Sequence, residues 1–292
     1  MKTCLTAILA AIFFVGSIGS LSAEIPEPET IKVWPDGKAP VAPGEFEDAH
    51  ATITVFRPEK PNGTAVVICP GGGYGGVVGA EGAPIAKWLN TQGIIGIVLN
   101  YRIPKGNPLR PLSDVQRALR IVRSRAEDWD LNPKRLGVIG FSAGGHLAAM
   151  AATQFDLGEG KTTDPIRRES SRPDFAILIY PVITMGEGTH GGSRQNLLGP
   201  HPSEAQIELY SNELQVKENT PPTFLAHAAD DKIVPPVHSE KFRDALFAKK
   251  IPCKYLPLAS GGHGLNGYKG PMWDAWQTQS MEWLAGLLAE SE

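Results

Sequence analysis

The sequence predicts an α/β fold: one mostly parallel central sheet of about eight strands, with helices on both faces. Three observations carry that expectation. Short β-branched runs alternate with amphipathic runs along most of the chain, the signature of repeated strand–helix units. Several of the β-branched runs are apolar at nearly every position, as strands covered on both faces are. And 292 residues, 42% of them hydrophobic, suffice for one large core but not comfortably for two.

The strand-like runs are 51–56, 64–69, 93–99, 136–139, 175–180, 223–228 and 253–258, short, rich in Val, Ile, Leu and Thr, many bounded by Pro, Gly or Asn. They follow a proline-rich leader at 26–43, before the first strand-like run. Between them lie helical stripes. Ile85, Trp88 and Leu89 precede a stop at Gly93; Val115, Leu119, Val122 and Ala126 follow a start at Ser113 or Asp114; Trp273, Trp276, Trp283, Leu284 and Leu287 stripe a last helix. At that spacing the tryptophans read as core rather than as a sugar platform. Arg117, Arg120, Arg123 and Arg125 read as a solvated helix face. The longest stretch without a strand signal, 184–220, with a short helix near 203–210, reads as a cap-like insertion that forms part of a substrate pocket.

Composition narrows the function. Lys and Arg total 28 against 31 acidic residues, a net charge of −3, so no extended positive field is available for nucleic acid. Residues 1–23 read as a secretory signal: Lys2, an apolar run at 5–15, then small residues before Glu24, with cleavage near Ser22 or Ala23. The apolar run falls short of the ~20 residues that a membrane span needs. The expected mature chain, 24–292, is therefore a single exported domain, periplasmic or secreted, with no membrane partner; its oligomeric state is left open. Cys4 departs with the signal, and Cys69 and Cys253 fall on strands too far apart to bridge. Both read as small core residues.

The chemistry concentrates in three loops. Gly140-Phe141-Ser142-Ala143-Gly144 lies between a strand run and a helix-compatible run. A serine at the apex of so tight a turn needs small neighbours and is held exposed to a substrate, as in a nucleophile elbow. A serine hydroxyl is unreactive at neutral pH without a base. Of seven histidines, His263 alone sits in a glycine-rich turn just past a strand, where α/β sheets place their chemistry. His146 and His227 read as structural, on the helix behind Ser142 and inside a strand. A carboxylate must orient the imidazole, and Asp230 and Asp231 both follow the 223–228 run; serine, acid, histidine is the chain order this architecture requires. Gly71, Gly72 and Gly73 allow backbone geometries that side chains would block, so the amides of Gly72, Gly73 and Ala143 are the candidate oxyanion donors. Tyr74 and His190 are the candidate substrate contacts. No cofactor is needed, and no metal-ligand cluster is apparent.

Together, Cys69 to Tyr74, Glu81-Gly82, Trp88-Leu89, Tyr101-Arg102, Pro111-Leu112, Asp114, Arg117-Ala118, the Gly140 to Ala148 elbow, Asp231 with Val234-Pro235, and Gly262-His263-Gly264 resemble the bacterial acetyl xylan esterase-like α/β-hydrolases. That group is similar to the hormone-sensitive-lipase branch of esterases, and some members carry xylanase names. The likeness runs from about Val33 to Leu288. It implies the α/β-hydrolase fold, a preference for Asp231 over Asp230 as the acid, and two-step hydrolysis of short acyl esters of xylan-type oligosaccharides. Pro70 departs from the lipase branch, which carries His-Gly-Gly-Gly there. Broad-specificity short-chain carboxylesterases and related peptidases share the machinery, and a non-catalytic binding protein on this scaffold would normally have lost a triad member.

Overall fold

The computed structural model describes residues 26–290; the expected signal segment lies outside them. The strands are β1 (Glu29–Lys32), β2 (Lys38–Ala42), β3 (Glu45–Asp48), β4 (Thr52–Phe56), β5 (Ala65–Cys69), β6 (Ile95–Asn100), β7 (Leu136–Phe141), β8 (Phe175–Ile179), β9 (Thr223–Ala228) and β10 (Cys253–Leu258). Eight form one sheet in the order β1-β4-β6-β5-β7-β8-β9-β10, and β2 and β3 form a separate hairpin. From β6 to β10 every pairing is parallel; β1 and β4 close one edge antiparallel. This is the mostly parallel α/β sheet that the alternating runs predict, and it agrees with the α/β-hydrolase fold that the resemblance implies.

The helices are α1 (Ala83–Thr91), α2 (Leu109–Ser124), α3 (Ser142–Thr153), α4 (Gly191–Leu198), α5 (Glu204–Leu209), α6 (Val237–Ala248), a short turn α7 (Leu265–Tyr268) and α8 (Pro271–Ala289). They cover both faces of the sheet. On one face α1 and α8 pack Ile85, Leu89, Trp273, Trp276 and Leu284 against Val66 and Ile68 of β5. On the other, α2, α3 and α6 pack Val115, Leu119, Leu147, Phe242 and Leu246 against Val67 and Cys69. Alternate residues of β5 thus enter opposite layers, which is why β5, β7, β8 and β9 are buried at every position and read as unbroken apolar runs. Trp276 is fully buried, edge-on to Trp88 and Phe141.

The leader contains β1 and β2, four and five residues long, too short and too interrupted by proline to show periodicity. Three expectations need correction. Helix α2 begins at Leu109, one turn before Ser113 and Asp114. Asp114 is no cap but a buried helix-interior acid, bonded to the Arg102 guanidinium at 3.0 Å and the Trp34 indole at 2.7 Å. Arg117, Arg120 and Arg123 are not a solvated face: they pair with Asp164, Asp156 and Asp174 beneath the loop at 156–174, and only Arg125 is exposed. Cys69 is buried, but Cys253 is only partly so; four strand spacings, about 19 Å at the usual interval, separate them.

Candidate active site

The parallel strands end on one side of the sheet, and their loops build the site there. At the end of β7 the chain turns into α3 with Ser142 at φ +53, a strained left-handed conformation for a residue with a side chain. Only glycine fits at either side: a Cβ on Gly140 would lie 2.2 Å from Gly144 O, and one on Gly144 2.0 Å from Cys69 O. This close packing locks the serine at the apex.

From the loop after β10, His263 Nε2 lies 2.8 Å from Ser142 Oγ, and its Nδ1 lies 2.7 Å from Asp231 Oδ2. The other Asp231 oxygen accepts from the Ile233 and Val234 amides at 3.0 Å, and the buried His227 approaches Oδ2 to 3.4 Å. Burial works against the Asp231 charge, but hydrogen bonds from His227, His263 and the Val234 amide outweigh it and hold this carboxyl well below the usual carboxylate range. Asp230 instead accepts from the Gly262 amide at 2.8 Å, pinning the turn that carries His263. The structure therefore sets Asp231, and not Asp230, against the imidazole. A hydroxyl bonded to an imidazole that is itself bonded to a buried carboxylate can lose its proton to the ring as it attacks.

The glycine loop lies directly against the serine: a Cβ on Gly71 would sit 3.0 Å from Ser142 Cβ. Its carbonyls are all engaged. Pro70 O accepts from the Tyr101 hydroxyl at 2.7 Å, Gly71 O from Val78 N at 3.0 Å, Gly72 O from Gly75 N at 3.0 Å, and Gly73 O from Asn196 Nδ2 at 2.8 Å. The Gly71 amide donates to Glu81 Oε2 at 2.6 Å. That leaves the Gly72 and Gly73 amides with no protein acceptor among the described residues. The Ala143 amide lies in the first turn of α3, where no intrahelical acceptor exists.

The two candidate substrate contacts part company. Tyr74 is fully buried, its hydroxyl 2.8 Å from His146 Nδ1, so it cannot touch substrate. It closes the loop from behind, and aromatic character next to three glycines could not reveal which way it turns. His190 is half-buried at the start of α4, with Nδ1 accepting from Ser193 Oγ at 2.8 Å, so its proton sits on Nε2. Its Cε1 is 3.8 Å from where a Gly73 Cβ would be. Burial, and then the nearby His263, lower its pKa.

Sequence reasoning missed the residues that back the site. Glu81, buried before α1, accepts from Tyr180 Oη at 2.9 Å as well as from Gly71. Tyr180 follows β8 and lays its ring 4.9 Å from that of His263. His238 of α6 accepts from the Ile183 and Thr184 amides at 2.9 and 3.2 Å and donates to Gly188 O at 3.2 Å. These contacts form across distant segments and leave no local pattern. Among the described residues no cluster of His, Cys, Asp or Glu could hold a metal ion.

Residues 53–246 match the BD-FAE family. The chain belongs to the BD-FAE family of α/β-hydrolases. Within it, this chain is similar to an acetylxylan esterase of Xylanibacter ruminicola, 38% identical over 224 residues that make up 75% of this chain and 44% of that protein. It is equally similar, 38% over 216 residues, to an endo-1,4-beta-xylanase B of Butyrivibrio fibrisolvens, covering 72% of this chain and 34% of that one. The chain spans less than half the length of either curated relative. Among solved structures, the acetyl ester-xyloside bifunctional hydrolase of Caldicellulosiruptor lactoaceticus superposes with a TM-score of 0.82 at 35% identity, over 91% of this chain and 98% of that one. This BD-FAE member is thus an acetyl xylan esterase-like α/β-hydrolase, and a Ser–His–Asp constellation on that fold is the architecture of a serine hydrolase.

Proposed function

We propose that the protein is a serine carboxylesterase that removes short acyl groups, above all acetyl, from xylan-type oligosaccharides. The observation that carries this reading is the continuous chain Ser142 Oγ, His263, Asp231 with contacts of 2.8 and 2.7 Å. Ser142 attacks the ester carbonyl as His263 takes its proton; the Gly72, Gly73 and Ala143 amides receive the developing oxyanion. As the intermediate collapses and its ester C–O bond breaks, His263 protonates the departing sugar oxygen, which leaves as the free hydroxyl. A water molecule, deprotonated by the same imidazole, releases the acid and restores Ser142.

The sugar side of the proposal rests on the polar surface of the insertion, which meets the glycine loop through His190 and Asn196. His190 offers an Nε2 proton beside the glycine loop, and the next residue opens a hollow of about 560 Å³ lined by Arg194, Gln195, His201 and Ile207. Such a surface suits hydroxyl groups better than a long acyl chain, for which each buried methylene contributes about 0.8 kcal/mol. Relatives named for acetylxylan and acetyl ester-xyloside hydrolysis support the same class. We propose in addition that residues 1–23 direct export and are removed, which intact-mass measurement of the mature chain tests.

Initial rates on acetylated xylo-oligosaccharides and on aryl esters from acetate to octanoate test the substrate. The expected result is measurable sugar deacetylation and a preference for acetate among the aryl esters. A severalfold rise in kcat/KM with every added methylene, with no activity on acetylated xylo-oligosaccharides, would overturn the sugar-ester reading and leave the serine mechanism standing.

A further inference from the structure

Glu81 is a second buried carboxylate at this site, 2% exposed, and no step of the acyl transfer uses it. Its place is unusual. A Cβ on Gly71 would lie 2.8 Å from Glu81 Oε2 and 3.0 Å from Ser142 Cβ, so the acid stands one glycine away from the nucleophile. Both of its oxygens are committed. Oε2 accepts from the Gly71 amide at 2.6 Å and Oε1 from the Tyr180 hydroxyl at 2.9 Å. Of the contacts that pin residues 70–73, those on the four carbonyls come from neutral donors, whereas the contact on the Gly71 N–H comes from a carboxylate, and charge-assisted bonds of this kind are roughly twice as strong. The acid therefore holds the peptide immediately ahead of the two free amides. Through Tyr180, whose ring packs 4.9 Å from the His263 imidazole, it also braces the base.

We propose that Glu81 is a positioning residue for the transition state: one buried carboxylate sets the oxyanion loop and, through Tyr180, the catalytic imidazole in mutual register. Burial pushes the Glu81 pKa up, while the Gly71 amide, the Tyr180 hydroxyl, His263 and Tyr268 pull against that rise. A carboxylate can accept from Gly71 and Tyr180 at once. A glutamine has only one oxygen to offer: it must face the Gly71 N–H, which cannot turn, and that bond loses its charge, while Tyr180 turns its hydroxyl to accept from the amide nitrogen. Glu81→Gln should therefore keep the fold while loosening the register of loop and base. Glu81→Ala would strand two buried donors, a loss that threatens the fold itself, and is the poorer test.

The inference rests on the serine-esterase reading, and the experiment separates the two. Wild type, Glu81→Gln, Tyr180→Phe and Ser142→Ala are compared on an aryl acetate, with active sites titrated, alongside the inhibition constant of a small alkyl boronic acid. The boronic acid adds to the serine and mimics the tetrahedral intermediate. Glu81→Gln should lose roughly 10- to 100-fold in kcat per active site, with KM within about threefold and boronate affinity falling in step with kcat. Tyr180→Phe, which frees one carboxylate oxygen and leaves the Gly71 bond intact, should lose roughly three- to tenfold. A merely structural role would lower the unfolding temperature and the fraction of titratable sites while leaving kcat per site and boronate affinity unchanged. That result, with kcat within about twofold of wild type, overturns the inference if Ser142→Ala is inactive. An active Ser142→Ala overturns the esterase reading as well. If Glu81→Gln yields no folded protein, Tyr180→Phe decides alone, and unchanged boronate affinity in it counts against the proposal.

Discussion

The floor and the roof of the active site are built differently. The floor, made of the elbow, the His263 turn, Asp231 and the glycine loop, hangs directly from the ends of β5, β7, β9 and β10. It is held by backbone amides, by glycine-only close packing, and by the Asp231 and Glu81 carboxylates, both oxygens of each engaged. The roof, 184–220, contains two helices of eight and six residues and is tied to the body largely through side-chain hydrogen bonds. His238 grips Ile183, Thr184 and Gly188; His146 donates to Tyr210 O at 2.8 Å; Asn196 reaches across to Gly73 O. The lesson is that the bond-breaking geometry is as rigid as the sheet. The surface that would choose the alcohol depends on a few hydrogen bonds, several of them to imidazoles.

The sharpest way to break the floor is to remove a triad member. Ser142→Ala and His263→Ala should each lower kcat by roughly three or more orders of magnitude while the protein stays folded. Retention of more than about a tenth of wild-type turnover by either would refute their roles. Asp231→Asn should cost nearly as much, since it presents the wrong partner to the imidazole. Asp230→Asn, which affects only the Gly262 amide, should cost far less, and the reverse order would exchange their roles.

The roof should instead fail with acid. Burial pushes the pKa values of His146 and His238 down to about 4. Between there and the ordinary histidine value near 6.5, the unfolded chain binds protons that the folded one does not, so stability must fall as pH falls through that window. The limiting slope is about 1.4 kcal/mol per pH unit for each fully buried histidine. Denaturant midpoints at several pH values should decline from about pH 6.5 toward pH 4, and His238→Gln should show a shallower decline. An unchanged slope in that variant would mean that His238 does not titrate on unfolding.

The smallest effect tests the seam between the two regions. Asn196→Ala removes the roof's hold on Gly73 O and should reduce kcat/KM by roughly three- to tenfold. Because the bond fixes the loop without touching the acyl group, acetate and butyrate should suffer alike. Unequal losses would place Asn196 in the substrate pocket itself.

The same contrast explains what could be read in advance. β9 coincides with its run at 223–228, because a strand buried on both faces writes its burial into consecutive residues; β10, the partly buried edge strand, also coincides with its run at 253–258. Ser142 and His263 were legible because elbow geometry and strand-end loops impose glycine at fixed offsets, whereas the choice of Asp231 over Asp230 came only from the family likeness of Asp231 with Val234-Pro235. Glu81, Tyr180 and His238 act through contacts 10, 99 and 55 residues apart in the chain; Glu81 was marked only as part of the family likeness, and no local pattern gave any of the three a role. Tyr74 and Arg117 misled for one reason: a residue type that usually faces solvent or ligand was turned inward, against a partner that only the tertiary fold supplies.

The central claim, that Ser142 carries the acyl group, is tested most directly by trapping it. Wild-type protein is incubated with an activated phosphonate ester and digested, and its peptides are weighed, with Ser142→Ala treated in parallel. The account predicts one stoichiometric adduct on the peptide containing Gly140-Phe141-Ser142-Ala143-Gly144, loss of esterase activity in proportion to labelling, and no adduct in the variant. Labelling of a different residue together with loss of activity, or full esterase activity after complete labelling of Ser142, would contradict it.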